Sequence, residues 1–94
     1  MSVVVTAVAP FNQEMYDAVT ERVMPGGELP EGCKLHIAGP VDQGWRVITV
    51  WDSQEQFDRF REEKLLPALA EASGQEAPQA VQPEVHPVHN LVTA

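Results

Sequence analysis

The stretch GWRVITVWDSQEQFDRF, from Gly44 to Phe60, constrains this chain more than any other segment, because it sets a strand, a helix cap and a helix in unbroken order. Trp45 to Trp51 is β-branched and aromatic, a composition that suits a pleated, half-buried surface. Ser53 followed by Gln56 has the form of a capping box, and Phe57 and Phe60 then open an apolar stripe at helical spacing. A strand that feeds straight into a helix must bury one side against it, so the segment predicts a layer of helix on sheet.

The flanking sequence extends this unit in both directions. Val3 to Val8 reads as a first strand ended by Pro10, and Asn12 can cap a helix whose Met15, Tyr16, Val19 and Val23 share a face. That helix stops before Pro25-Gly26-Gly27, and a loop rich in proline and glycine leads to a short strand from Lys34 to Gly39. Pro40 to Gly44 forms a turn, which makes Lys34 to Gly39 and Trp45 to Trp51 an antiparallel hairpin. The second helix is predicted from Gln54 to about Lys64, with Pro67 either kinking it or opening a fresh helical turn that carries Leu69. Ala72 to Pro83 reads as a polar crossing loop, and Glu84 to Val92 as an extended segment that Pro87 pushes to a sheet edge. The order β-α-β-β-α-β is that of a ferredoxin-like α+β fold, an antiparallel sheet with two helices on one face.

A chain of 94 residues fits a single domain over 1–94, and at this size only around 60 to 65% of the unfolded surface is lost on folding. Burial against a partner would add to a modest core. The strands point the same way, since Val3, Val4 and Val5 are consecutive and Val47, Thr49 and Trp51 alternate with Ile48 and Val50, so that both sheet faces call for cover. Two helices cover one face, and a second copy of the chain is the expected cover for the other.

Charge and cysteine content exclude several classes of function. Fourteen Asp and Glu against six Lys and Arg give a net charge of -8, which repels nucleic acid and anionic lipid. Cys33 is alone, so the chain has no internal disulfide framework and no thiolate metal cluster, which fits the cytoplasm. The N-terminal MSVVVTAVAPF lacks a basic leader region and is too short to span a bilayer.

The pattern WRVITVWDSQEQFDRF followed by LLPAL resembles the dimeric α+β barrel superfamily, and in particular its small antibiotic-biosynthesis-monooxygenase-like proteins. The element order extends the resemblance over nearly the whole chain. It implies a homodimer, and a superfamily that includes cofactor-independent oxygenases, haem-degrading enzymes, cyclases, isomerases and proteins without known activity. In the haem-degrading branch an Asn, a Trp and a His would be expected where this chain has Thr6, Phe60 and Ala70, so the resemblance does not imply haem binding here. The cofactor-independent oxygenases imply instead an electron-rich phenol or anthrol, a base and a dry cavity, with neither metal nor flavin.

On that reading His36, between Leu35 and Ile37, is the candidate catalytic base, an imidazole that titrates near neutrality. Tyr16, Trp45, Trp51, Phe57 and Phe60 are candidates to line an aromatic pocket, and Arg46 to clamp an anionic substrate or else to pair with an acidic neighbour. His86 and His89 suggest a metal, but strand positions three apart face opposite ways, so no metal site is expected. Two readings follow: a small homodimeric enzyme acting on an aromatic or polyketide-type molecule, and a binding or structural module of the same fold whose cavity is filled.

Overall fold

The computed structural model describes residues 2–10, 12–73 and 83–93. The elements are β1 (Val3–Ala9), α1 (Gln13–Val23), a 3-10 turn (Pro25–Gly27), β2 (Cys33–Val41), β3 (Gly44–Trp51), α2 (Gln54–Phe60), a π-helical turn (Arg61–Leu65), α3 (Leu66–Ser73) and β4 (Glu84–Pro87). All the strand pairings are antiparallel, in the order β2-β3-β1-β4. This is the ferredoxin-like α+β arrangement.

Local chemistry explains where the helices begin. Asn12 Oδ1 accepts the backbone N–H of Met15 at 2.8 Å, which satisfies one of the free donors at the start of α1. Ser53 does the same for Gln56 N–H at 3.2 Å, while the Ser53 hydroxyl reaches Gln56 Oε1 at 3.2 Å. The glutamine thus returns the contact through its own carbonyl.

Helical backbone continues from α2 through the π-helical turn into α3, which starts at Leu66 and carries Pro67 and Leu69. The π-helical turn absorbs the proline: the Leu66 N–H bonds to the carbonyl of Arg61, five residues back, so the wider turn takes up the register just before a residue that has no N–H to give. Helical structure therefore runs on to Ser73, past the Ala72 at which a loop was expected. The remainder of that expected loop, 74–82, lies outside the described residues.

The hairpin is longer than the composition suggests. β2 extends to Val41, opposite Gly44, and leaves Asp42 and Gln43 as its turn, so Pro40 is paired rather than looped. Gly44 takes φ 141, and a Cβ there would fall on the Ala9 carbonyl oxygen of β1. At the other end of the hairpin, Cys33 is opposite Trp51 and Leu35 opposite Val50, which leaves Lys34 as an extra residue in a β-bulge. Lys34 turns to solvent and meets Asp52 at 3.1 Å.

Register assigns the faces. Val3, Val5, Ala7 and Ala9 of β1 and Trp45, Val47, Thr49 and Trp51 of β3 lie on one face, and on that face Val3, Val5, Trp51 and Phe57 of α2 form one core cluster. Val19 of α1 with Ala68 and Leu69 of α3 forms a second, between the helices. The opposite face carries Val4, Val8, Ile37, Ile48 and Val50. β4 ends at Pro87, and the following residues Val88 to Leu91 border a groove on this side together with Val4 and Val50; Val50 is 4% exposed. Ile37, at 50%, stays open.

Gly44→Ala should lower stability by about 3 kcal/mol, since it combines an unfavourable φ with a backbone collision. Urea denaturation followed by far-UV circular dichroism measures this, and an unchanged midpoint would show that β1 and β3 can separate there without cost.

Candidate functional site

The space between the two core clusters is not fully closed by side chains. A cavity of about 110 Å³ lies there, bounded by β1, β2 and β3 on one side and by α1, α2 and the later helical turns on the other. Its wall is almost wholly apolar, and among the described residues no Asp, Glu, Lys or Arg lines it. The polar groups that reach it are Tyr16, Thr20, Cys33, His36 and Thr49.

The bulge at Lys34 decides which of these face inward. Cys33 and His36 are three residues apart, and in an unbroken strand they would point to opposite faces. With Lys34 taken out of the ladder, Cys33 pairs with Trp51 and His36 with Thr49, both on the helix side, and both line the cavity. Cys33 is therefore a strand residue at the site, where a loop was expected. Its thiol lies 3.4 Å from the Leu35 carbonyl, and burial raises its pKa, keeping it protonated and poorly nucleophilic.

Tyr16 reaches across from α1 to this strand. Its hydroxyl lies 2.6 Å from His36 Nε2, and its ring stacks on Trp45 with centroids 5.3 Å apart. Burial lowers the pKa of His36 below its ordinary 6.5, so the ring is neutral at pH 7. A neutral imidazole takes one of two roles here: with its proton on Nδ1 it accepts the Tyr16 O–H at Nε2, and with its proton on Nε2 it donates to the phenol oxygen.

The remaining aromatic candidates form a separate group. Trp51 is 1% exposed, its indole N–H donates to Thr49 Oγ1 at 2.8 Å, and its ring meets Phe57 edge-on at 5.7 Å and Phe60 at 5.1 Å between centroids. Trp45 and Trp51 share a face but stand six residues apart on β3, roughly 20 Å at strand rise, so they do not close one aromatic box. Tyr16, His36, Trp51, Phe57 and Phe60 line the cavity, whereas Trp45 supports it from behind Tyr16. The Trp45 indole N–H is buried without a hydrogen-bond partner.

Arg46 stands elsewhere. Its neighbours across the sheet are Val8 and Gly39, on the face away from the helices, where it is exposed and outside the cavity wall. It pairs with no acidic side chain among the described residues. Thr6 is on that same outer face, opposite Ile48, so the position that the resemblance sets against the haem-degrading Asn does not reach the cavity either. His86 is also opposite Val4 on the outer face, exposed, with Glu84 Oε2 3.9 Å away. No group of three or more His, Cys, Asp or Glu that could hold a metal occurs among the described residues.

Thr49, Thr20 and Cys33 are lining residues that the sequence does not mark as candidates for the site. Thr49 carried a usable signal, because it lies two residues before Trp51 on the same strand face and can receive the indole N–H. Cys33 carried none, because its orientation depends on the bulge.

No protein-family model matches the chain, and no curated protein matches it in sequence. Among solved structures, Rv0793 from Mycobacterium tuberculosis is similar with a TM-score of 0.60 over 98% of each chain, at 13% sequence identity. The likeness is one of fold. No helix among the described residues is long and apolar enough to cross a membrane.

The depressed pKa of His36 makes a signed prediction for stability. Below about pH 6.5 the unfolded chain takes up a proton that the folded chain resists, so the folded state loses ground as pH falls from 6.5 through the lower folded pKa. Above 6.5 this contribution is constant. His36→Gln should flatten that part of the stability curve, as read by urea midpoints between pH 7.5 and 5, and an identical slope in the variant would refute a half-buried neutral imidazole.

Proposed function

We propose that the chain is a small antibiotic-biosynthesis-monooxygenase-like enzyme that binds an aromatic or polyketide-type molecule between sheet and helices, with His36 as its base and neither metal nor flavin. The observation that carries this reading is the 2.6 Å contact between Tyr16 and His36 Nε2 in the wall of an otherwise apolar cavity. Tyr16 is a relay in this scheme. A bound hydroxyarene passes its proton to the Tyr16 oxygen as the Tyr16 proton moves to Nε2, which leaves an arenolate beside an imidazolium. The arenolate is the electron-rich form that reacts with dioxygen. For a ring with a free carbon para to the hydroxyl, one oxygen atom enters as the second quinone carbonyl and the other leaves as water, so the substrate supplies all four electrons. The apolar wall keeps water from the anion.

A second reading, a non-catalytic binding or structural module of the same fold, is favoured by the small size of the cavity, about 110 Å³ against the 300 to 1,000 Å³ common for drug-sized ligands. One set of variants separates the two. His36→Ala should leave the fold nearly intact yet reduce turnover of a phenol under air, and Tyr16→Phe should do the same while keeping its stack on Trp45. Trp51→Ala should also lose stability, about 3 to 5 kcal/mol, because it empties a fully buried site and orphans Thr49. Oxygen uptake and intrinsic Trp fluorescence read these effects. Equal uptake by native protein and His36→Ala would leave the module as the better reading.

The same proposal includes a homodimer joined through the outer sheet face, in the cytoplasm, without nucleic acid or membrane as partner. It is supported by the open apolar positions Ile37, 50% exposed and opposite Ile48, and Val8, 40% exposed and opposite Arg46. Ile37→Lys costs a single chain little at such exposure but places a charge in the joint, so it should convert a dimer to a folded monomer in sedimentation. Native protein sedimenting as a 10.4 kDa monomer at micromolar concentration would rule the dimer out.

A further inference from the structure

The cavity constrains its occupant in three ways. An apolar cavity of about 150 Å³ holds one benzene ring, so a space of about 110 Å³ admits a single six-membered ring with slight movement of its wall, and fused rings only by displacing wall side chains. Trp51 and Phe57, 1% and 5% exposed and in edge contact, form a packed wall that does not open without breaking the sheet-side core cluster. A bicyclic or tricyclic substrate would have to displace it.

Charge is the second constraint. Among the described residues no Lys or Arg lines the wall, Arg46 stands on the outer face, and the chain carries a net charge of -8. A carboxylate or phosphate brought into this space would give up its hydration without a counter-charge in return.

Polarity is the third. Thr49 Oγ1 already receives the Trp51 indole N–H, and the Cys33 thiol faces the Leu35 carbonyl, which leaves the Tyr16 and His36 pair, with Thr20 one turn further along α1, as the place where a ligand's polar group can be met.

We propose that the ligand class of this site is an uncharged single-ring phenol, its hydroxyl on Tyr16 and its ring between Val5, Val47 and Leu69. This inference rests on the pocket reading of the preceding subsection and narrows it, since a polyketide-type substrate of several fused rings falls outside the class.

The test uses the native chain and four probes, namely phenol, toluene, benzoate and 1-anthrol, followed by intrinsic Trp fluorescence and by chemical-shift changes at the Tyr16, His36 and Val47 amides. Phenol should bind and shift those amides, toluene should bind about tenfold more weakly for want of the hydroxyl contact, and benzoate should bind at least about a hundredfold more weakly. 1-Anthrol should not shift them. Benzoate within tenfold of phenol, or 1-anthrol binding at these amides more tightly than phenol, would overturn the ligand class while leaving the pocket standing. If none of the four shifts the amides at millimolar concentration, the pocket reading falls with it.

Discussion

Trp51 is the side chain on which the rest of the structure depends. It closes β3, sits two residues ahead of the helix cap at Ser53, and is buried to 1% exposure against Phe57 and Phe60. Burying an indole is favourable only if its N–H is met, and Thr49, on the same face of the same strand, meets it. The short connection between strand and helix therefore has one geometry: Trp51 under α2, with Thr49 beside it. The position of the second helix over the sheet follows from that contact.

Because Trp51, Val3, Val5 and Phe57 form one cluster while Val19, Ala68 and Leu69 form another, the core has a seam, and the cavity occupies it. A seam of this kind is a weakness in packing terms, since apolar side chains facing empty space forgo dispersion contacts. The wall nonetheless brings a phenol and an imidazole into hydrogen-bond contact at that place. Polar groups facing an unfilled apolar space are the arrangement that a binding site requires and that a stability core avoids.

The outer face of the sheet is settled in a different way. The residues after Pro87 border a groove with Val4 and Val50, and Val50 is buried, while Ile37 at the β2 edge stays open. The exposed apolar surface on this face is thus smaller than the strand sequences alone suggest, and Ile37 places it toward the β2 edge.

Periodicity and capping carried the element order. The alternation in β3, the Asn12 and Ser53 caps and the helical stripes of Met15, Tyr16, Val19 and Val23 are local, and local interactions are legible in a sequence. That Tyr16, Trp51, Phe57 and Phe60 face one space was legible in part, since the helical stripes and the alternation of β3 place them on shared faces, whereas no face was assigned to His36. The sequence could not show that Lys34 is bulged out of β2, because the bulge is a matter of how Cys33 and Leu35 register against Trp51 and Val50, a pairing between strands. That single residue turns Cys33 and His36 to the same face. Nor could it show that Trp45 stacks behind Tyr16, that a π turn precedes Pro67, or that the chain's own C-terminal residues border a groove with Val50. Elements and their order came from chemistry within a few residues of chain; the site came from register and packing between segments distant in sequence, which only the assembled tertiary structure decides.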